Sequence, residues 1–353
     1  MQSETNVQGT HPEWPTEGLE RVLDCPVCGG DTRELVHDAL TDRVYFCAPG
    51  EWNMYRCGAC ASTYLDPRPT RETIGLAYQR YATHEKTEVR DFQTLSVLKR
   101  LRRSLANGYR NHRYGTRLYP ASILGILAAI VMPDRRAIID WQMRHLPKGN
   151  SRKWLLDLGC GNGEFLLRAR SAGWEVVGAD PDAKAVEAAR GHGLEVRLGG
   201  VEALDPSVER FDVITLAHVI EHVHHPGEVL EACYRLLKPG GYLWLETPNI
   251  TSEGHEVFGR NWRGLEPPRH LVLFTAESLR QALSRAGFIE VKVQSYFPLW
   301  EDIFGASQAI AEGIDPYSVS RPKAPRGLVR KAERIARRDP ARREFITVKA
   351  WKA

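Results

Sequence analysis

Three groups of residues in this 353-residue chain have the types and spacing to do chemistry. The first is Asp157-Leu-Gly-Cys-Gly-Asn-Gly-Glu164, set between the apolar runs Trp154–Leu156 and Phe165–Ala169. That order predicts a strand, a tight glycine turn and a helix start. Gly159, Gly161 and Gly163 let the backbone turn sharply and let a ligand approach closely, with the free N–H groups of the helix facing it. A dinucleotide turn has a third glycine three residues after the second and accepts a pyrophosphate. Here Glu164 stands at that position, and with Asp157 it disfavours an anion and suits a cationic ligand. The second group is His218-Val-Ile-Glu221-His222-Val-His224-His225-Pro226. Coiled as a helical turn, it would put His218, Glu221 and His222 on one face. With His270 added, these residues make either a divalent-metal site with an open position or a general base titrating near neutrality. The third group is two Cys-x-x-Cys pairs, Cys25/Cys28 and Cys57/Cys60, whose four thiolates can close a tetrahedral zinc site. With every position filled by protein such an ion is structural, and Cys47 is either a substitute ligand or a buried thiol.

The surrounding pattern supplies the elements that must hold these groups. Val176–Asp180 reads as a strand ending in an acid, Asp182–Arg190 as a helix and Leu194–Leu198 as a third strand. Phe211–Ala217 is a continuous apolar run, as expected of a parallel strand covered on both faces. Leu236-Leu-Lys-Pro-Gly-Gly241 followed by Tyr242–Glu246 reads as helix, turn and strand. Thr275 caps a helix that ends at Gly287, and strands are predicted over Ile289–Val293 and Glu344–Lys349. Ligands bind beyond the carboxyl ends of strands in open α/β sheets, so the histidine cluster after Ala217 should face the site.

The pattern Asp-x-Gly-x-Gly-x-Gly, with Val176-Val-Gly-Ala-Asp180 next and the Leu-Lys-Pro-Gly-Gly turn later, resembles the class I S-adenosylmethionine (SAM)-dependent methyltransferases. The resemblance covers roughly residues 151 to 293. It implies an α/β, doubly wound Rossmann-like sheet of seven strands with the last antiparallel, and SAM as cofactor. It places Asp157, Gly159, Cys160 and Gly161 around the cofactor, Asp180 on the ribose hydroxyls beside Pro181, Val201 and Glu202 at the adenine edge, and Ala217 at the end of strand four. The quinone-pathway and small-RNA members carry Glu-x-x-Glu-His, which holds a divalent metal at the accepting oxygen. This chain has His218 in place of the first acid, so the match is partial. Bacterial methyltransferases of natural-product, sugar and quinone pathways are also similar in having a zinc ribbon and a Pro-Arg-Pro segment, here Pro67-Arg68-Pro69, ahead of the SAM domain. Their usual short hairpin between the last two strands is replaced by about fifty residues.

The formal net charge is only +4, yet Lys99–Arg117 holds seven basic residues without an acid, and Arg321–Arg343 holds ten against two. These are either solvated faces or contacts for anionic lipid, phosphate or a carrier. Leu118–Met132 is nearly all apolar and flanked by arginines. It is short of the ~20 residues that span a bilayer, so it reads as a buried helical lid or as an interfacial patch. Residues 1–20 are polar and proline-interrupted, without a secretory signal, which points to a cytoplasmic protein with peripheral membrane contact as an option.

The expected organisation is a flexible tail over 1–24, a zinc ribbon over 25–66, a helical cap over 67–150 and a SAM-dependent methyltransferase domain over 151–353 with a basic insertion at about 298–343. A helix is expected from Thr70 towards Tyr81, and Trp262 and Arg269 on the acceptor side. The expected activity is methyl transfer to a hydroxyl of a small-molecule, sugar or lipid-linked acceptor. C-methylation of a sugar or ring carbon is the alternative within enzymes. A nucleic-acid or protein-binding module with an inert SAM fold is the alternative outside them. Nucleic acid is not the expected partner, because aromatic and basic residues are not interleaved in the ribbon. The sequence sets no oligomeric state.

Overall fold

The computed structural model describes residues 13–79, 96–150, 152–294 and 300–353. Two cysteine knuckles frame the first unit, which contains β1 (Leu19–Glu20), β2 (Arg33–Leu40), β3 (Trp52–Cys57), β4 (Thr63–Leu65) and β5 (Arg68–Pro69). The expected loose tail gives way to ordered chain from Trp14 onward. Trp14 is buried edge-on to Trp52 with ring centres 5.3 Å apart, and β1 pairs antiparallel with β5. Burial of an indole outweighs the flexibility that Pro12 and Pro15 suggest. The expected helix from Thr70 is instead a turn followed by a short 3₁₀ segment at Ile74–Tyr78, while its far end at Tyr81 lies outside the described residues.

Three helices follow: α1 (Val97–Tyr114), α2 (Gly125–Val131) and α3 (Pro133–Gln142), the last with proline at its first turn. The α/β layer then runs β6 (Trp154–Leu158), α4 (Glu164–Ser171), β7 (Glu175–Asp180), α5 (Ala183–Gly191), β8 (Glu195–Leu198), β9 (Phe211–Ala217), α6 (Pro226–Leu236) and β10 (Leu237–Pro248). It continues with α7 (Glu253–Phe258), β11 (Val272–Leu273), α8 (Ala276–Arg285), β12 (Ile289–Val293), α9 (Trp300–Glu312), α10 (Arg326–Arg338) and β13 (Phe345–Trp351). Seven strands form one sheet in the order β12-β13-β10-β9-β6-β7-β8, with β13 antiparallel to both neighbours. This is the expected doubly wound sheet. Leu155, Leu156, Ile214, Leu216, Leu243 and Leu245 are all fully buried in it, each contributing about 1.5–3 kcal/mol by leaving water. The order reverses between β6 and β9, which opens a crevice at their carboxyl ends. The basic insertion is a helix pair: Val329, Ala332 and Ala336 of α10 pack on Trp300 and Phe304 of α9.

The ribbon is not an appendage. β11, the two residues just after His270 and Leu271, joins β4, β3 and β2 as the edge of the ribbon sheet, with Val272 opposite Tyr64 and Leu273 opposite Thr63. Beside this joint, Arg269 is completely buried. Its guanidinium grips both carboxylate oxygens of Asp42 from the ribbon, donates to the Ala77 carbonyl at 2.8 Å and to Glu266 at 3.0 Å, and lies 4.6 Å from the Tyr45 ring. Asp42 in turn accepts the backbone N–H groups of Val44, Tyr45, Cys47 and Ala48. Arg269→Leu would leave the buried Asp42 carboxylate without its cation, while Glu266 keeps Arg263. It should cost about 3–5 kcal/mol of stability, read as a lowered urea midpoint by circular dichroism.

Candidate functional site

Sharp turning at the end of β6 is carried by Gly159 and Gly161, with φ of 70° and 53°. A Cβ on Gly159 would strike Val219 at 2.4 Å, whereas one on Gly161 would meet nothing within 4 Å, so the second glycine faces open space. Asp180 ends β7 and braces that turn: one carboxylate oxygen accepts the Gly161 N–H at 2.8 Å, the other the Asp182 N–H at 2.9 Å. Pro181 beside it is exposed. Across the loop, Val201 opens a 3₁₀ turn and Glu202 folds back to accept the Gly200 N–H at 2.6 Å. Ala217 closes β9 half-buried, and Cys160 is a buried thiol whose pKa burial pushes up. Gly159, Cys160, Gly161, Asp180 and Ala217 thus lie at or just beyond the carboxyl ends of β6, β7 and β9.

Asp157 is the acid expected beside a cationic ligand. It is wholly buried, and Arg144, after α3, reaches one of its oxygens and the Thr215 hydroxyl at 2.7 Å. The Arg144 guanidinium lies 3.8 Å from the centre of the Phe165 ring. Burial pushes the Asp157 carboxyl up and Arg144 opposes that, leaving the second oxygen without a hydrogen bond. Sequence reasoning missed Arg144, because nothing marks one arginine among many until packing isolates it.

The histidines separate into two roles. His218 has φ of 54°, so the segment does not coil as one helical turn. Its ring is held between two buried acids, Nδ1 3.3 Å from Glu221 and Nε2 3.3 Å from Glu246. Burial opposes its charge, but those carboxylates prevail and the pKa is pushed up to about 10. His218 is thus a cation at neutral pH, unsuited as general base or metal ligand. Glu246, which the sequence reading also missed, accepts from Trp141 of α3 at 2.7 Å and from Thr347 at 2.6 Å. A charged residue at the inner end of an apolar strand was the available signal.

Glu221, His222 and His270 meet on the other side, with one ligating atom from each lying within 4.8 Å of the others. His222 Nδ1 is 3.0 Å from the Arg269 carbonyl and 3.0 Å from the Tyr78 hydroxyl, and His270 Nδ1 is 2.7 Å from the Gly264 carbonyl. A carbonyl only accepts, so both rings carry a proton on Nδ1. Burial holds the His270 pKa down at about 4, so the ring is neutral. Glu221 takes the Thr247 hydroxyl on one oxygen at 3.0 Å, and its other oxygen lies 3.3 Å from His218 Nδ1. His224 belongs to neither group; its Nε2 donates to the Pro69 carbonyl, and the neighbouring Arg68 reaches the His224 carbonyl. Trp262 and Arg269 do not line an open acceptor face. Trp262 is 2% exposed, donating to Glu344 at 2.9 Å, and borders a cavity of about 300 Å³ with Arg43, Arg260 and Glu266.

At the N-terminal end the thiols of Cys25, Cys28, Cys57 and Cys60 also lie within 4.8 Å of one another, with Cys25–Cys60 sulfurs 3.7 Å apart and Cys28–Cys57 3.5 Å. A tetrahedral zinc with ~2.3 Å bonds needs sulfur separations of about 3.8 Å, so the set fits. Cys47 is no part of it, its thiol pointing to the Ala77 carbonyl at 3.3 Å.

Sheet order and glycine turn are those that the resemblance to SAM-dependent methyltransferases implies. Residues 133–293 match the family model described as a methyltransferase domain, a span that takes in α3 ahead of the expected boundary at 151. The ubiquinone biosynthesis O-methyltransferase of Chelativorans sp. is 36% identical over 147 residues, covering 38% of this chain and 58% of that protein. Its mitochondrial counterpart in Mus musculus is 35% identical over 136 residues, 35% of this chain and 37% of that one. A tRNA U34 carboxymethyltransferase of Desulfotalea psychrophila is 35% identical over 171 residues, covering 45% and 52%. The chain thus spans roughly half the length of these relatives. Among solved structures, a SAM-dependent methyltransferase from Thermotoga maritima described as a possible histamine N-methyltransferase aligns with a TM-score of 0.42 at 21% identity, over 65% of this chain and 96% of that one.

Asp180→Ala removes the carboxylate that braces the turn. SAM affinity should fall by about 1.5–3 kcal/mol in titration calorimetry, the worth of a charge-assisted hydrogen bond. Unchanged affinity would show that Asp180 does not serve the cofactor.

Proposed function

We propose that this chain transfers a methyl group from SAM to a hydroxyl of a small-molecule, sugar or lipid-linked acceptor, at the Glu221/His222/His270 cluster. The observation that carries this reading is the convergence of a buried carboxylate and two imidazoles whose Nδ1 atoms are committed to backbone carbonyls, with one ligating atom of each within 4.8 Å of the others. Such a set of ligating atoms suits a cation or a hydroxyl proton. The O-methyltransferase relatives support a hydroxyl acceptor, and the ubiquinone pathway in their names supports a lipid-like one.

SAM supplies a methyl already activated by its sulfonium. Gly161 leaves room for the cofactor, and Asp180 holds the turn in shape beneath it. His222 and His270, with tautomers fixed by backbone carbonyls, offer Nε2 to the acceptor side. A metal-bound histidine characteristically donates its other N–H to such a carbonyl, and two histidines with one carboxylate leave open positions. Glu221, His222 and His270 would therefore hold a divalent ion, which would lower the acceptor hydroxyl's pKa. His218 and Glu246 set the charge of the neighbouring wall, and proximity carries much of the rate.

Incubation with SAM and a panel of phenolic and sugar acceptors should release S-adenosylhomocysteine. EDTA should abolish turnover and Mg²⁺, Mn²⁺ or Zn²⁺ restore it. His222→Ala should lower kcat by about 10²-fold or more with SAM affinity intact. Turnover indifferent to both treatments would remove the cluster from the mechanism.

The four-cysteine site is proposed to hold structural zinc. Cys57→Ser should reduce bound zinc, measured by a colorimetric chelator after denaturation, and loosen the ribbon. Because β4 pairs with β11, amide exchange should also rise at Leu271–Leu273. Full zinc retention would contradict the assignment.

A further inference from the structure

The segment Leu118–Met132, expected as a buried lid or an interfacial patch, is not a lid. It is fastened to α1 by its backbone: Asn107 donates to the Pro120 carbonyl at 2.9 Å, Asn111 to the Leu118 carbonyl at 3.0 Å, and the Ser122 N–H reaches Ser104 at 3.0 Å. α2 crosses α1 so closely that a Cβ on Gly125 would lie 2.0 Å from the Leu105 carbonyl oxygen. Gly125 and Ala129 therefore face inward and are buried, while Ile123, Leu124, Leu127, Ile130 and Val131 face outward with 60–80% of their surface exposed. Tyr119, at the head of the segment, is 93% exposed. A contiguous aliphatic face this open on an ordered scaffold marks an interaction surface.

What surrounds it selects the partner. Arg135 and Arg136 of α3 are exposed directly after α2, and Arg113 and Arg117 directly before it. α10, more than 180 residues later, is brought alongside by an ion pair between Arg337 and Asp134 at the start of α3, 3.1 Å long. Its inner face is Val329, Ala332 and Ala336, and its outer face presents Arg330, Lys331, Arg334 and Arg338 to solvent. An apolar wedge rimmed by cations from three elements is complementary to an anionic bilayer surface, aliphatic side chains entering the headgroup boundary and arginines meeting phosphates. A soluble acidic protein would match the rim but would not need a protruding wedge. Among the described residues no helix is long and apolar enough to cross a membrane, so the contact is interfacial.

We propose that α2 and the basic faces of α3 and α10 form a docking surface for membranes rich in anionic phospholipid. This inference does not depend on the methyl acceptor, and its test measures no methyl transfer. The full chain is sedimented with vesicles of phosphatidylcholine alone or with about one third phosphatidylglycerol. Binding is expected on the anionic vesicles only and should weaken as salt is raised. Leu127→Glu with Ile130→Glu, and separately Arg330→Glu with Arg334→Glu, should each weaken it by at least about tenfold, since each cation at such a surface is worth about fivefold. S-adenosylhomocysteine binding, unchanged in both variants, reports that they are folded. Equal binding to neutral vesicles, no vesicle binding, or retention by either variant overturns the proposal. So does a dimer in sedimentation equilibrium without lipid that Leu127→Glu with Ile130→Glu dissolves, because the wedge would then be covered by a second copy.

Discussion

The buried guanidinium of Arg269 is the charge on which both halves of the molecule close. Three acidic oxygens and a carbonyl surround it, from Asp42 and Ala77 on the ribbon side and Glu266 on the sheet side. A buried cation is tolerated only when its hydrogen bonds are met with good geometry, so the ribbon loop, the Ile74–Tyr78 turn and the 266–270 segment must sit in one arrangement. That arrangement places the Arg269 carbonyl 3.0 Å from His222 and the adjoining His270 ring 4.8 Å from the His222 ring. The same residue thus ties the fold together through its side chain and fixes an imidazole tautomer through its backbone.

This explains why a zinc ribbon accompanies the sheet. The Ile74–Tyr78 turn supplies Tyr78 opposite His222, and the ribbon continues its sheet into β11, where the Leu271 carbonyl accepts from Leu65 and the Leu271 N–H donates to the Glu221 carbonyl. One residue therefore bridges the ribbon and the acid of the cluster. The four thiols of Cys25, Cys28, Cys57 and Cys60 gather at the end of β3.

Charge in the crevice is organised in alternation. Arg144 faces Asp157, His218 stands between Glu221 and Glu246, and Trp141 and Thr347 complete Glu246. Each carboxylate has a cation or hydroxyl beside it.

The sequence by itself determined what depends on local rules. Glycine spacing, the acid ending β7, the apolar run of β9, the capped helix α8 and the two cysteine knuckles are short-range patterns, and their elements lie where those patterns end. It could not separate His218 from His222, because one residue at φ 54° redirects a ring and only packing decides who its neighbours are. It could not assign Arg144, Arg269 or Glu246, whose distant partners Asp157, Asp42 and Trp141 lie 13 to 227 positions away. Nor could it say whether Leu118–Met132 is covered, since the same apolar composition serves a core or a surface. Tertiary structure decided these because burial and ion pairing are properties of the neighbours the chain brings together, and those neighbours come from distant parts of the sequence.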